Sequence, residues 1–313
     1  MQAMQPRSPI ISSPLSIGEI YDLTLTAFKL NWKSLAAIAA WSAAPQTLFS
    51  LALMIFAGPH AITQEGSAEF VGQLMAAGNL AGMALYWGAR LLTAVAGLLG
   101  SLAIMAFLIE FLQGEKMSVG QSYAQGARCF GRALGAYLLL FVAFVGAGIM
   151  LARLAGFLTS NGGVCALLLM PLLLGLLYVM IRVMTVFGVV VVAEKAGGWN
   201  VMRQSWALTK GNFWRITGVL LISILLGGGL VLLAFLSIGG VTIAVRAAGM
   251  DPIWPTVLTG LLLDLAVALL VVPFSTTVTV MLYFDLLARR RPAAPASYGA
   301  VSPTPRMSLC CRR

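Results

Sequence analysis

Long uncharged apolar stretches arrive in pairs, each pair behind a short basic segment that occurs three times, and this pattern constrains the chain more than any other feature. The two clearest copies of the basic segment read QSYAQGARCFGR at residues 121–132 and QSWALTKGNFWR at residues 204–215. Gln, Ser, an aromatic residue, Phe and a final Arg recur in register. A weaker copy, TLTAFKLNWK, occupies residues 24–33. A helix needs about 20 apolar residues to cross a bilayer, and inside hydrocarbon its backbone groups must be satisfied within the segment. The pattern therefore predicts an all-α integral membrane protein of about six transmembrane helices. They are expected as three hairpins, each preceded by a cytoplasmic amphipathic helix.

Composition supports this reading and leaves little room for anything else. Of 313 residues, 60% are hydrophobic and 10% charged, and the mean hydropathy is +0.93. The runs are too long and continuous for barrel strands. The 33 glycines suit close helix packing in lipid. We expect a flexible N-terminus over residues 1–14, a single six-helix membrane domain with three internal repeats over 15–287, and a basic disordered tail over 288–313. The spans are placed near residues 34–57, 80–111, 133–157, 164–193, 216–238 and 256–287. Ser16 and Glu19 form a capping-box pattern before the first copy. Ser118 is the expected N-cap of the second. Gly198 or Asn200 starts the third, and Gly211 and Asn212 break it. Residues 67–77 are expected as a short helix in an acidic outer loop.

The net charge of +10 could suggest a nucleic-acid ligand. Its distribution argues against that, because the cations gather beside spans and in the tail. Lys29, Lys33, Lys116, Arg128, Arg132, Lys195, Arg203, Lys210, Arg215, Arg289, Arg290 and Arg291 fall on one side of the predicted topology, whereas the opposite loops hold Arg246, with Arg153 at their border. The positive-inside rule then sets both termini in the cytoplasm. Attraction to anionic phospholipid follows from the same cations. No nucleic-acid partner is expected. The four cysteines, Cys129, Cys165, Cys310 and Cys311, give no disulfide framework.

Charges inside apolar spans are costly unless paired. Arg90, Arg182 and Asp264 are the intramembrane polar residues of interest. Arg90 and Asp264 lie at similar depths and are candidates for a buried pair. Arg182 could snorkel or meet Glu110 or Asp285. No catalytic constellation is visible: His60 is the sole histidine and sits in an outer loop, far from Ser122 and Ser205. No metal site or cofactor is expected. Gly227, Gly228 and Gly229 lack the Lys-Ser/Thr of a phosphate loop.

PLSIGEIYDLTLTAFKLNWKSL at residues 14–35, VVVAEKAGGWNVMRQSWALTKGNFWRITGVLLI at residues 190–222 and LYFDLLARR at residues 282–290 together resemble a family of six-span prokaryotic proteins. These are often labelled the membrane domain of glycerophosphoryl diester phosphodiesterases. The resemblance rests on Glu194, Ser205, Trp206, Leu208, Thr209, Gly211, Phe213 and Arg215 above all. It implies the six-span fold and a prokaryotic cytoplasmic (inner) membrane. It implies no activity, because in those phosphodiesterases a separate soluble barrel supplies the metal ligands and histidines.

Two functions stay open on the sequence. The first is a non-enzymatic membrane scaffold or accessory protein, contacting anionic lipid, a membrane protein complex or a second copy through Lys29, Lys33, Arg128, Arg132, Arg203, Lys210 and Arg215. The second is a transporter of a small molecule, lipid or ion along a route using Arg90, Arg182 and Asp264.

Overall fold

The structure, a computed structural model, describes residues 14–57, 64–159, 165–194, 197–249 and 253–290. His60, Cys310 and Cys311, together with most of both terminal segments, lie outside these. Among the described residues, eight α-helices follow in order: α1 (Ile17–Ala57), α2 (Gln64–Ala76), α3 (Leu80–Leu112), α4 (Val119–Thr159), α5 (Cys165–Ala193), α6 (Trp199–Thr209), α7 (Phe213–Ala247) and α8 (Ile253–Arg290). No strand occurs among the described residues. All but α2 and α6 are long and apolar enough to cross a membrane. The protein is a multi-pass membrane protein.

Local sequence chemistry sets where several helices begin and end. At α1 the Ser16 N–H donates to Glu19 Oε2 at 2.6 Å, and the Glu19 N–H donates back to Ser16 Oγ at 3.2 Å. This reciprocal pair satisfies two orphan amides of the first turn. The second basic copy has the same device in Gln form: the Ser118 N–H donates to Gln121 Oε1 at 2.9 Å and the Gln121 N–H to Ser118 Oγ at 3.3 Å. The third copy starts at Gly198 without a side-chain cap. It ends at Gly211, whose φ of 84° is a left-handed conformation that Gly adopts without a Cβ penalty.

The three copies are not structurally equal. The first runs unbroken into α1, a helix of 41 residues. The second runs unbroken into α4, also 41 residues. Only the third stands as a separate amphipathic helix, α6. The expectation of a distinct amphipathic helix before each hairpin is corrected accordingly. Neither of the first two copies contains a break comparable to Lys210-Gly211-Asn212, so the helical hydrogen bonding has no reason to stop.

The chain divides into two compact units, and the division falls within α1, α3, α7 and α8. Unit 1 holds residues 1–23, 105–220 and 278–313. Its core is the end of α3, Ala106 to Ile109, and the end of α5, Val189 to Val192, which are buried on every side. Tyr137 of α4 meets Phe187 of α5 edge-on at 5.0 Å. Burial all round marks a helix enclosed by others, and the near absence of charge in these stretches allows it.

Unit 2 holds residues 24–104 and 221–277. Here α1 and α3 approach so closely that a Cβ on Gly100 would collide with the Ser42 side chain. Phe49 and Tyr86 stack edge-on at 5.7 Å on the same pair of helices. α7 leaves Leu225, Leu232, Leu233 and Phe235 exposed, as a lipid-facing helix does. Small residues at the crossing and large ones outward are the packing logic of helices in lipid, where contact rather than water exclusion drives association. Gly100→Val is therefore expected to destabilise unit 2 by about 1–3 kcal/mol through overpacking. Gly97→Val, with nothing within 4 Å of the new Cβ, serves as the control. Thermal unfolding in detergent reads the difference, and equal midpoints would refute the close crossing.

Candidate functional site

The densest polar chemistry of unit 1 is built around one carboxylate. Asp285, near the end of α8, is fully buried, with 0% of its side chain exposed. Its Oδ1 accepts the Leu15 N–H at 2.8 Å, and its Oδ2 accepts Arg215 Nε at 2.9 Å. Arg289, one turn on, donates from Nε to both oxygens at 3.2 Å. The same two arginines donate to the Leu15 carbonyl, Arg215 through Nη2 and Arg289 through Nη2 at 2.9 Å. The segment entering α1, the first turn of α7 and the last turns of α8 are thereby tied at one point. Charge-assisted bonds of this kind are about twice as strong as neutral ones, and a buried carboxylate requires them.

Two further contacts extend this knot along unit 1. Tyr283 donates its hydroxyl proton to Glu194 Oε1 at 3.0 Å, joining α8 to the turn after α5. Tyr21 of α1 donates to the Val219 carbonyl of α7 at 2.6 Å.

Arg182 of α5 is the second organising cation. It is buried and turns to α6. Its Nη2 donates to the Trp206 carbonyl at 3.0 Å, its Nε to Thr209 Oγ1 at 3.3 Å and its Nη1 to the Tyr178 hydroxyl at 2.9 Å. The guanidinium lies 3.9 Å from the Trp206 ring centroid. A cation at the C-terminal end of a helix meets carbonyls that have no intrahelical donor, and the helix dipole favours it there. α6 has only 11 residues, too few for a stable isolated helix. Arg182 supplies part of what holds it against α5. The expectation that Arg182 snorkels or meets Glu110 or Asp285 is corrected: α6 offers nearer acceptors together with a π face.

Arg90 and Asp264 are not joined. Arg90 lies over the rings of Phe49 at 5.4 Å and Tyr86 at 5.5 Å, and its Nη2 reaches the Tyr86 hydroxyl at 3.4 Å. Asp264 is exposed on α8. Aromatic faces satisfy Arg90 through cation–π attraction, so equal depth in two spans does not bring the pair together.

The predicted basic contacts separate by environment. Arg215 belongs to the Asp285 knot. Arg132 packs its aliphatic stem against Gly197. Lys29 and Lys33 are exposed on unit 2, with Lys33 Nζ 6.0 Å from the Trp32 ring. Arg203 and Lys210 are exposed on unit 1, as is Arg128. Sequence reasoning missed Leu15, Tyr283, Glu194 and Arg289. One signal was available, an acid four residues before an arginine in Asp285–Arg289. A backbone donor such as Leu15 leaves no mark in a sequence.

The profile of the family described as Domain of unknown function (DUF7847) matches residues 21–286. The chain belongs to this family. No curated protein and no solved structure matches it. The matched stretch includes Arg182, Arg215 and Asp285, and ends between Asp285 and its neighbour Arg289. Among the described residues, no group of three His, Cys, Asp or Glu is placed to hold a metal ion.

Two outcomes follow from this geometry. Asp285→Asn strands Arg215 beside a neutral partner and is expected to destabilise the fold by about 3 kcal/mol or more. Combined with Arg215→Gln it costs less than the sum of the single changes, measured by denaturant unfolding in detergent. Arg182→Met is expected to raise amide exchange in α6 about tenfold or more, as loss of charged hydrogen bonds predicts. Exchange in the α5 core stays unchanged, and an α6 rate equal to the parent's would refute the anchoring.

Proposed function

We propose that the protein is a non-enzymatic membrane scaffold or accessory protein that contacts anionic phospholipid, or an acidic face of a membrane partner, through its basic segments. The reading places it in a prokaryotic cytoplasmic membrane with both termini cytoplasmic, following its charge distribution. The three basic segments would then share the cytoplasmic side, each leading a hairpin.

One observation carries the reading: the cations sort into two kinds. Arg182 and Arg215 are committed to internal partners. Arg203, Lys210 and Arg290 are exposed, and none has a side-chain partner among the described residues. A fold that binds its internal cations so fully, yet leaves others around α6 and at the end of α8 without a partner among the described residues, presents them outward. Near an anionic surface each contributes about 1 kcal/mol. The transport reading needs Arg90, Arg182 and Asp264 to share a route. Arg182 is instead occupied by α6 and Arg90 by aromatic rings, so the scaffold reading is preferred.

The proposed kinship to phosphodiesterase membrane domains fits this picture in one respect. The three stretches that carry the likeness are those that meet at Asp285, through Leu15, Arg215 and Arg289.

Spin-labelled phosphatidylglycerol and phosphatidylcholine, compared at the protein surface in nanodiscs, test the reading. The parent is expected to prefer the anionic lipid. Arg203→Gln, Lys210→Gln and Arg290→Gln together should reduce that preference by about fivefold or more, given about 1 kcal/mol per basic residue. Cysteine labelling confirms an unchanged topology. A preference that survives the triple change counts against the proposal.

A further inference from the structure

Unit 1 contains a cavity of about 560 Å³ bounded by α6, the end of α8 and the turn after α5. Asn200, Arg203 and Gln204 line it from one face of α6 at helical spacing. Leu287 and Arg290, three residues apart, line it from α8, and Glu194 closes it at the α5–α6 corner. The volume falls in the range of small-ligand sites.

The polar atoms of this cavity are of two complementary kinds. Arg203 and Arg290 are exposed guanidinium groups with no partner among the described residues. Two such forks on one cavity suit a phosphate, which accepts paired N–H donors. The acceptors lie beside them, Gln204 next to Arg203 on α6 and Glu194 at the turn after α5. Gln204 Oε1 is buried with no hydrogen-bond donor among the described residues, a costly state that a bound donor would relieve. Glu194 is half-buried, and its Oε1 already accepts the Tyr283 hydroxyl. No side chain caps the first turn of α6, where Asn200 stands, and that end of a helix dipole also favours an anion.

We infer that this cavity binds a phosphate ester carrying a hydrogen-bond donor, an ammonium or a hydroxyl, with Arg203 and Arg290 on the phosphate and Gln204 and Glu194 on the donor. The chemistry is shared by a phospholipid headgroup and by a soluble phosphate ester. The inference deepens the proposed lipid contact, since Arg203 belongs to both, but it claims a stoichiometric site where that reading claims a diffuse surface.

Phosphatidylethanolamine and phosphatidylcholine carry the same phosphodiester. The first has a primary ammonium with N–H donors, and the second has none. Native mass spectrometry of the full-length protein from detergent, with either lipid added, therefore reads both halves of the site. Calorimetry with O-phosphoethanolamine tests the soluble source. The expected result is one retained phosphatidylethanolamine, preferred over phosphatidylcholine. Arg203→Gln with Arg290→Gln should weaken it about tenfold or more, as two charged hydrogen-bonding groups predict. Gln204→Met should reduce the preference between the lipids, with Glu194 left as the remaining acceptor, while phosphate-dependent retention persists. Lys210→Gln, which lies outside the cavity, should lower the diffuse anionic preference and leave this binding intact.

Binding of O-phosphoethanolamine with the same variant dependence, but no retained lipid, supports the site and assigns it a soluble ligand. Equal retention of both lipids that depends on the arginines overturns the donor half. No binding in either arm, or binding indifferent to Arg203 and Arg290, overturns the site. The diffuse surface preference is read separately, by the response of spin-labelled lipid to Lys210→Gln. The arginines and Lys210 are exposed, so these variants are expected to keep the parent's unfolding midpoint, which is checked in parallel.

Discussion

Asp285 is the point on which unit 1 depends. A carboxylate with no exposed surface is among the least tolerable groups in an apolar fold, and its cost is met only by the donors that surround it. Each donor comes from a different part of the chain: a backbone amide ahead of α1, a side chain in the first turn of α7 and one from the last turn of α8. The Leu15 carbonyl then accepts from the same two arginines, so the segment ahead of α1 is held by both its polar groups. The three helix ends are not merely adjacent. Each contributes a donor to the same carboxylate, which couples their arrangement in a protein where apolar contact alone gives little directional preference.

The other internal cations follow the same economy by different chemistry. Arg182 donates to the Trp206 carbonyl and the Thr209 hydroxyl at the end of α6 and lies against the Trp206 ring. Arg90 uses the faces of Phe49 and Tyr86. Neither takes a carboxylate. An aromatic face or a helix terminus carries partial negative charge without the desolvation penalty of a second ion. A chain with so few acidic residues draws on these partners. Among the described residues of unit 1, the exposed guanidinium groups of Arg203 and Arg290 and the buried Gln204 Oε1 are left without a partner.

Much of the architecture was legible from residue order. The apolar stretches located α3, α5 and α8 to within a few residues, whereas α1, α4 and α7 run well beyond the spans read for them, and Ser16-x-x-Glu19 announced its capping box because both partners lie within one turn. Gly211 announced its break because a left-handed residue has a compositional signature. The reading faltered where a side chain had to choose a partner. Arg90 and Asp264 share a depth, but depth is one coordinate of three, and helix rotation decides which residues meet. Arg182 was matched to distant acids because α6 was not foreseen as a helix packed on α5 with its C-terminal carbonyls open. The repeat was also misleading in one respect. Similar sequence in three copies suggested three similar helices, yet only the copy containing Gly211 has the residue that permits a break.

The sequence by itself determined that this chain crosses a membrane repeatedly, where its helices lie and where their capping boxes form. These are settled by hydropathy, hydrogen bonding within a few residues and local backbone preference, all of which act over short separations in the chain. Only the tertiary structure decided that Leu15, Arg215 and Asp285 meet, that Arg182 holds α6, and that Arg203 and Arg290 share one cavity with Gln204. Leu15 and Asp285 are 270 residues apart, and their contact depends on the rotation and height of three helices. Those quantities come from packing across the whole unit, and no local pattern in the sequence records them.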